Sequence, residues 1–247
     1  MFLADFHVHT NMSDGKMSLP DVIDLFGSRG FGAIAVTDHL CENRSVLGKA
    51  SRYLGCSLTE ENFSEHMENI RREGERAKKQ YNMLVIPGFE ITKNSVSNHR
   101  SAHVLAIGTD QYIDPNLPIE ELCREIRAKG ALSVAAHPVS TRKLEKQTFH
   151  LWDRREELRN CFDAWEVASG PHLFDEVLHS GLPMIASSDL HHARQITSWK
   201  SVLRCERSMP EILDCVRRQD LSFSFYSDVA TSRTPLFGFC PLPRVGV

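Results

Sequence analysis

Nine short apolar runs, most of them rich in β-branched or aromatic residues, alternate along this chain with amphipathic stretches, and that rhythm constrains its fold most. The runs are FLADFHV (2–8), GAIAVT (32–37), MLVIPGF (83–89), HVLAIG (103–108), ALSVAA (131–136), FDAWEV (162–167), PMIAS (183–187), SVLRC (201–205) and LSFSFY (221–226). Between them stand SLPDVIDLFGSRG, TEENFSEHMENIRREGERAKKQYN, PIEELCREIRAKG, HLFDEVLHSG and MPEILDCVRRQ. Several close at glycine (Gly30, Gly130, Gly181), where helices often end. Strand then helix, repeated, predicts parallel strands with covering helices, hence an α/β barrel or a doubly wound sheet.

At 247 residues, with 41% hydrophobic and 25% charged residues, the chain can bury one sizeable core, and a single domain over 1–247 is expected. Two parts interrupt the rhythm. Residues from about 40 to 81 form a long insertion, read as one charged helix preceded by an irregular stretch, CENRSVLGKASRYLGCS; it is either a surface decoration or a lid over a site. The tail from about 231 to 247 has three prolines and no periodicity, which predicts an irregular strap.

The formal net charge of −3 exerts no pull towards nucleic acid or an anionic membrane. No apolar run approaches the length of a membrane span, and MFLADFHVH lacks the basic region and apolar stretch of a secretion signal, so a cytoplasmic protein is expected. The seven cysteines are scattered with no C-x-x-C pair, which predicts reduced thiols, neither a disulfide frame nor a zinc finger.

Function in barrels and open α/β sheets gathers beyond the C-terminal ends of the strands. There the chain places His7, His9 and Asp14 (DFHVHTNMSDG), Asp38 and His39 (AVTDHL), Glu90 (IPGFEIT), His137 (VAAHPV), and Asp189 and His191 (ASSDLHH). His7 and His9 alternate with Val8, so in a strand both rings point the same way, a chelating arrangement. His103 precedes its apolar run. A short polar turn, TKNSVSNHR, separates that run from Glu90, and an antiparallel reversal there returns His103 to the neighbourhood of Glu90. Any one of these histidines alone reads as a hydrogen-bonded structural group; their convergence is what points to a metal centre. The set of His7, His9, Asp14, His39, Glu90, His103, His137, Asp189 and His191 mixes imidazole and carboxylate, which suits zinc, iron or manganese better than calcium or magnesium. Nine donors are too many for one first-row ion, so two or three divalent transition-metal ions are implied.

In this order, H-x-H-T-x-x-S-D-G, T-D-H, G-x-E-I, a lone histidine ahead of an apolar strand, A-H-P and S-D-x-H resemble the PHP superfamily, named after polymerase and histidinol phosphatase, over about residues 4–192. The long segment before G-F-E-I-T and the later S-W-K are similar to small stand-alone members described as predicted metal-dependent phosphoesterases. The resemblance implies a distorted (β/α)7 barrel with a trinuclear metal site at the C-terminal ends of its strands. It implies a first ion on His7, His9, Glu90 and Asp189, a second on the bridging Glu90 with His103 and His137, and a third on Asp14, His39 and His191.

Two cations about 3.5–4 Å apart can share a water and lower its pKa enough to supply hydroxide near neutral pH, and a third can neutralise phosphate oxygens. The function expected is hydrolysis of a small phosphate ester, a nucleotide-like or other phosphorylated metabolite, with no side-chain acid or base assigned. Arg100, Arg142, Lys143 and Arg194 fall in loops at the metal end and are candidate phosphate ligands, with Lys93 a weaker one. Asp38 is expected to hold a ligating side chain in place and not to bind metal itself. Trp152, Trp165 and Trp199 are read as core. Four other readings stay open: a nuclease or phosphodiesterase acting on nucleic acid, a histidinol-phosphate phosphatase, an amide hydrolase on a similar barrel, and a non-enzymatic metal-binding regulatory module. Stable nucleic-acid binding is not expected, because the chain has no basic stripe with interleaved aromatics.

Overall fold

The computed structural model describes residues 1–94, 101–139, 149–227 and 239–240. Strand β1 (Phe2–Val8) leads through α1 (Leu19–Gly27) to β2 (Ala33–Val36) and β3 (His39–Cys41). Two helices follow, α2 (Val46–Tyr53) and α3 (Glu60–Tyr81), before β4 (Leu84–Lys93) and β5 (Ala102–Ile107). Helix α4 (Ile119–Ala128) and strands β6 (Leu132–Ala135), β7 (Ala164–Ser169), β8 (His172–Leu173) and β9 (Met184–Ser187) complete the middle of the chain. Strands β10 (Ser198–Leu203) and β11 (Leu221–Tyr226), with α5 (Met209–Arg217) between them, and the short β12 (Phe239–Cys240) close it.

The sheet runs β12-β11-β10-β1-β2-β4-β5-β6-β7-β8, with β3 on β4 and β9 on β7. Its pairs are parallel from β1 through β2 to β4 and from β6 through β7 to β9, whereas β5 is antiparallel to both neighbours. The sheet curls back on itself. Just past β9, Leu190 forms a parallel bridge with Val8, donating its amide to the His7 carbonyl at 3.1 Å and accepting from the His9 amide at 2.8 Å. Seven strands, β1, β2, β4, β5, β6, β7 and β9, are thereby joined into a distorted barrel, and β10 to β12 extend it as an outer wing.

The strand sequences are apolar on both faces because helices cover the outside and side chains fill the inside, as in other parallel sheets. Ile34, Ile86, Leu105, Val134, Trp165 and Ile185 are fully buried. Helix α1 starts at Ser18, whose hydroxyl accepts from the Asp21 amide, with proline in its first turn. Helix α3 carries a capping box, Thr59 with Asn62, and ends at Asn82 in the left-handed conformation (φ 53°). It buries Phe63, His66, Met67, Ile70 and Ala77, and Arg76 reaches Asp24 of α1 at 2.6 Å. That apolar face is spent on the barrel wall, so α3 is a covering helix of the barrel. The stretch read as irregular before it contains α2, capped by Ser45, whose hydroxyl accepts from the Gly48 amide at 3.0 Å. With few apolar residues to bury, α2 shows little helical signal in sequence, and Val46, Tyr53 and Leu54 are left exposed.

Trp165 is fully buried beside Phe162 and Trp152, and Trp199 packs edge-on against Phe225. Cys41, Cys56, Cys123, Cys161, Cys205 and Cys215 are free thiols. Among the described residues no helix is long and apolar enough to cross a membrane.

Candidate metal centre

Alternation along β1 sends His7 and His9 to one side, with ring centroids 5.0 Å apart. Their Nε2 atoms converge on the same two carboxylates. Each lies 3.5 Å from Glu90 Oε2 and 3.3 Å from Asp189 Oδ1. Glu90 is not at a strand end, as the sequence had suggested; β4 continues three residues beyond it, to Lys93, because it gains β3 on one side (His39↔Glu90) and β5 on the other (Thr92↔His103). The antiparallel reversal into β5 is present, and it brings His103 Nδ1 to 2.9 Å from Glu90 Oε1, with His137 Nε2 at 3.4 Å from the same oxygen. The other oxygen, Oε2, also meets His39 Nδ1 at 2.7 Å. Asp14 Oδ1 gathers a further group, 3.2 Å from His191 Nε2, 3.5 Å from His39 Nε2 and 4.0 Å from His9 Nδ1.

The nine sequence candidates therefore fall into overlapping sets whose donor atoms all lie within 4.8 Å of one another: His7, His9 and Glu90; His7, His137 and Asp189; Glu90, His103 and His137; and His9, Asp14, His39 and His191. The donor chemistry fits cations. His7 Nδ1 is 3.0 Å from Glu166 Oε1, and a carboxylate can only accept, so Nδ1 carries a proton and, with a cation in place of any second proton, Nε2 presents a lone pair towards Glu90 and Asp189. Ser13 donates to Asp38 Oδ1 at 2.6 Å, which leaves its oxygen to accept from His9 Nδ1 at 3.5 Å. His9 Nε2 is then a second lone pair aimed at the same oxygens. Burial opposes protonation of His7, but Asp189, Glu166 and Glu90 raise its pKa well above the usual imidazole range, so a proton or a cation must lie between this ring and the carboxylates, and a divalent ion would replace that proton. His7 Nε2 and His9 Nε2 are buried without a hydrogen-bond partner, a costly arrangement that a divalent ion would resolve.

Residues 5–114 match the family model described as the PHP domain, and this span contains His7, His9, Asp14, His39, Glu90 and His103. Over that span the chain is similar to the PHP superfamily. Its fold is similar to that of a two-domain protein from Bacteroides vulgatus containing a predicted PHP-like metal-dependent phosphoesterase, at 22% identity and a TM-score of 0.68 over 91% of this chain. The chain spans 64% of that protein's length. More distant matches are an amidohydrolase from Chromobacterium violaceum (16% identity, 76% of this chain and 87% of that one, TM-score 0.48) and a provisionally named metal-dependent phosphoesterase from Bifidobacterium adolescentis (14%, 77% and 88%, TM-score 0.43). No curated protein matches the sequence.

Within the site the electrostatics follow the same division. Burial opposes ionisation of Glu90, but the imidazoles of His103, His39 and His7 outweigh it and hold the carboxyl well below its usual range. Burial, helped by the neighbouring His39, pulls His9 down to about 4, leaving a neutral ring at neutral pH. Burial also acts to lower His191, but Asp14 and Asp189 push it up to about 8. His137 and Asp189 have left-handed backbones, φ 27° and 52°, which non-glycine residues adopt at a cost. The surroundings hold both in place. Glu166 Oε2 accepts from the His137 amide at 2.7 Å, while Ser188 donates its amide to Asp5 at 3.0 Å just before Asp189.

The expected orienting role of Asp38 has a concrete geometry: it is fully buried and accepts from the Thr10 amide (2.7 Å), the Thr10 hydroxyl (2.7 Å) and Ser13. Among the candidate phosphate ligands, Arg194 is exposed in the short 3-10 helix Ala193–Ile196 that follows His191. Arg100, Arg142 and Lys143 lie outside the described residues. Lys93 is not available: its ammonium donates to the Pro115 carbonyl at 2.6 Å and lies 3.8 Å from Glu42. Sequence reasoning missed Glu166 and His66. Glu166 was visible only as a charge inside the apolar run FDAWEV, and His66, 3.0 Å from Asp38, as the one imidazole on the apolar face of α3.

Proposed function

We propose that this chain hydrolyses small phosphate esters, using two to three divalent transition ions (zinc, manganese or iron) held by the nine donors. Glu90 carries the reading: a fully buried carboxylate with His103 and His137 at one oxygen and His7, His9 and His39 at the other is the arrangement of a bridging ligand. The assignment places one ion on His7, His9, Glu90 and Asp189, a second on Glu90, His103 and His137, and a third on Asp14, His39 and His191. Bound there, the ions supply Lewis acidity that activates a water near neutral pH and offsets charge on the phosphate oxygens.

The chain's own part is to orient and to gather. Glu166 and Asp38 fix the tautomers of His7 and His9, so that both lone pairs face inward. Arg194, with Arg100, Arg142 and Lys143, supplies cations for the non-bridging oxygens, and the substrate is a small phosphorylated metabolite, nucleotide phosphates ranking first. The nuclease reading has less support, since the net charge is −3 and no basic stripe tracks a strand. Amide hydrolysis has less support too, since a glutamate occupies the bridging position.

One metal-loaded preparation assayed on nucleoside phosphates, a simple sugar phosphate and an end-labelled oligonucleotide separates these readings. Phosphate release from the monoesters with little shortening of the oligonucleotide is expected. Rapid stepwise shortening without phosphate release would overturn the proposal in favour of a nuclease.

A further inference from the structure

Glu166 and His66 are buried titratable groups outside the nine donors, and they reach opposite sides of the cluster. We infer that the centre is built as two separately supported halves, with Glu166 positioning the His7 and His137 side and His66, on α3, positioning the Asp14 side. The inference rests on the metal-binding reading above.

Glu166 contacts His7 Nδ1 through one oxygen and the His137 amide through the other, at 3.0 and 2.7 Å. Both partners belong to the sets built around Glu90 and Asp189, and neither belongs to the set around Asp14. The bond to His137 restrains a residue whose backbone lies in the left-handed region, so losing it frees both the ring and the strained peptide.

His66 acts through Asp38. Asp38 Oδ1 takes the Thr10 amide and the Ser13 hydroxyl, and Oδ2 takes the Thr10 hydroxyl and lies 3.0 Å from His66 Nε2. Thr10 and Ser13 are the pins of the turn that carries Asp14, closed by the Ser13 and Gly15 amides on the Thr10 carbonyl at 3.2 and 3.0 Å. Without His66 the buried carboxylate loses its contact from α3 and must find a replacement by moving, and the residues free to move with it are those of this turn. The Ser13 to His9 contact is long at 3.5 Å, so the coupling passes mainly to Asp14. A helix that sequence presents as an insertion thereby becomes a strut for the outer ion.

The test is a metal titration of stripped protein, with cobalt(II) as the probe, read by elemental analysis after dialysis and by the visible ligand-field spectrum. Orienting partners typically set metal affinity by about 10–100-fold. His66→Leu should weaken one ion by at least about tenfold, and His66→Gln, whose amide can still donate to Asp38, should recover most of that loss. Glu166→Ala should weaken a different ion, with Glu166→Gln intermediate because its amide oxygen can accept only part of what the carboxylate did. Asp14→Asn serves as the reference for the outer ion. Combined with it, His66→Leu should add little, whereas Glu166→Ala should add its full loss. The inference is overturned if His66→Leu and Glu166→Ala weaken the same ion, if both combinations are additive, or if both single variants bind like wild type. Wild-type protein that takes up no cobalt would instead overturn the metal reading itself.

Discussion

Glu166 Oε1 lies 3.0 Å from His7 Nδ1, and through that contact a carboxylate buried in β7 decides which nitrogen of a β1 imidazole is left to bind. Ser13, itself held by Asp38, does the same for His9. The two histidines of the H-x-H motif thus arrive with both lone pairs directed at Glu90 and Asp189, from partners on different elements. Such preorganisation lets a site bind ions without rearranging its rings.

Glu90 is predicted to be the most sensitive position, because it faces five imidazoles. Glu90→Gln should lower the metal content by up to two ions per chain and reduce phosphomonoester turnover by more than about a hundredfold, the upper range for an orienting partner alone. Elemental analysis and a phosphate-release assay on one preparation check both parts.

Gly15 closes the Asp14 turn where no side chain fits: a Cβ there would sit 2.7 Å from the Thr10 carbonyl oxygen and 2.8 Å from the His9 carbonyl carbon. Gly15→Ala should therefore weaken the outer ion while leaving the barrel folded. Equal cobalt binding in the variant and wild type would show that the turn tolerates the shift.

Lys200 and Asp5 form a fully buried ion pair at 2.7 Å, between β10 and β1. Asp5 also accepts from the amides of Ser188 and His7, which ties the pair to the base of the site. Lys200→Met strands a buried carboxylate and should cost about 3–5 kcal/mol in unfolding free energy. Adding Asp5→Leu should recover only part of this, because the Ser188 and His7 amides lose their acceptor. Denaturant unfolding of the single and double variants measures the difference.

The positions of the donors were legible because their spacing encodes them. His7 and His9 alternate within a strand, and the lone histidine at the start of β5 made sense once the turn after Glu90 was read as a reversal, which the register of Thr92 against His103 matches. The orienting groups were not legible. Glu166 looks like any charge in a strand, and its role depends on β1 and β7 facing each other across a closed barrel, a relation no local pattern carries. His66 is hidden for the same reason: a helix of 22 residues, mostly polar, does not announce which of its side chains passes inward. Lys93 shows the converse, a cation well placed along the chain whose ammonium is already engaged by Pro115 and Glu42.

Metal uptake should release protons. His191 is raised to about 8 by Asp14 and Asp189 despite burial, so below that pH an incoming cation must displace a proton from it. Burial also opposes ionisation of His39, a donor to the same ion, but Glu90 and Asp14 raise it well above the usual imidazole range. The apparent affinity of the ion assigned to Asp14, His39 and His191 should therefore fall as pH drops below about 8, by at least about tenfold per unit. Titrations at pH 6, 7 and 8 read the slope directly. An affinity independent of pH across this range would contradict the assignment of His191 as a ligand.

The central claim is that the nine convergent donors hold catalytic metal ions, and the metal content of protein purified without chelator tests it most directly. Two to three first-row ions per chain are predicted, with phosphomonoester turnover lost on stripping and restored when the ions are returned. A chain that carries none of these ions, yet hydrolyses phosphate esters at an undiminished rate, would contradict the account.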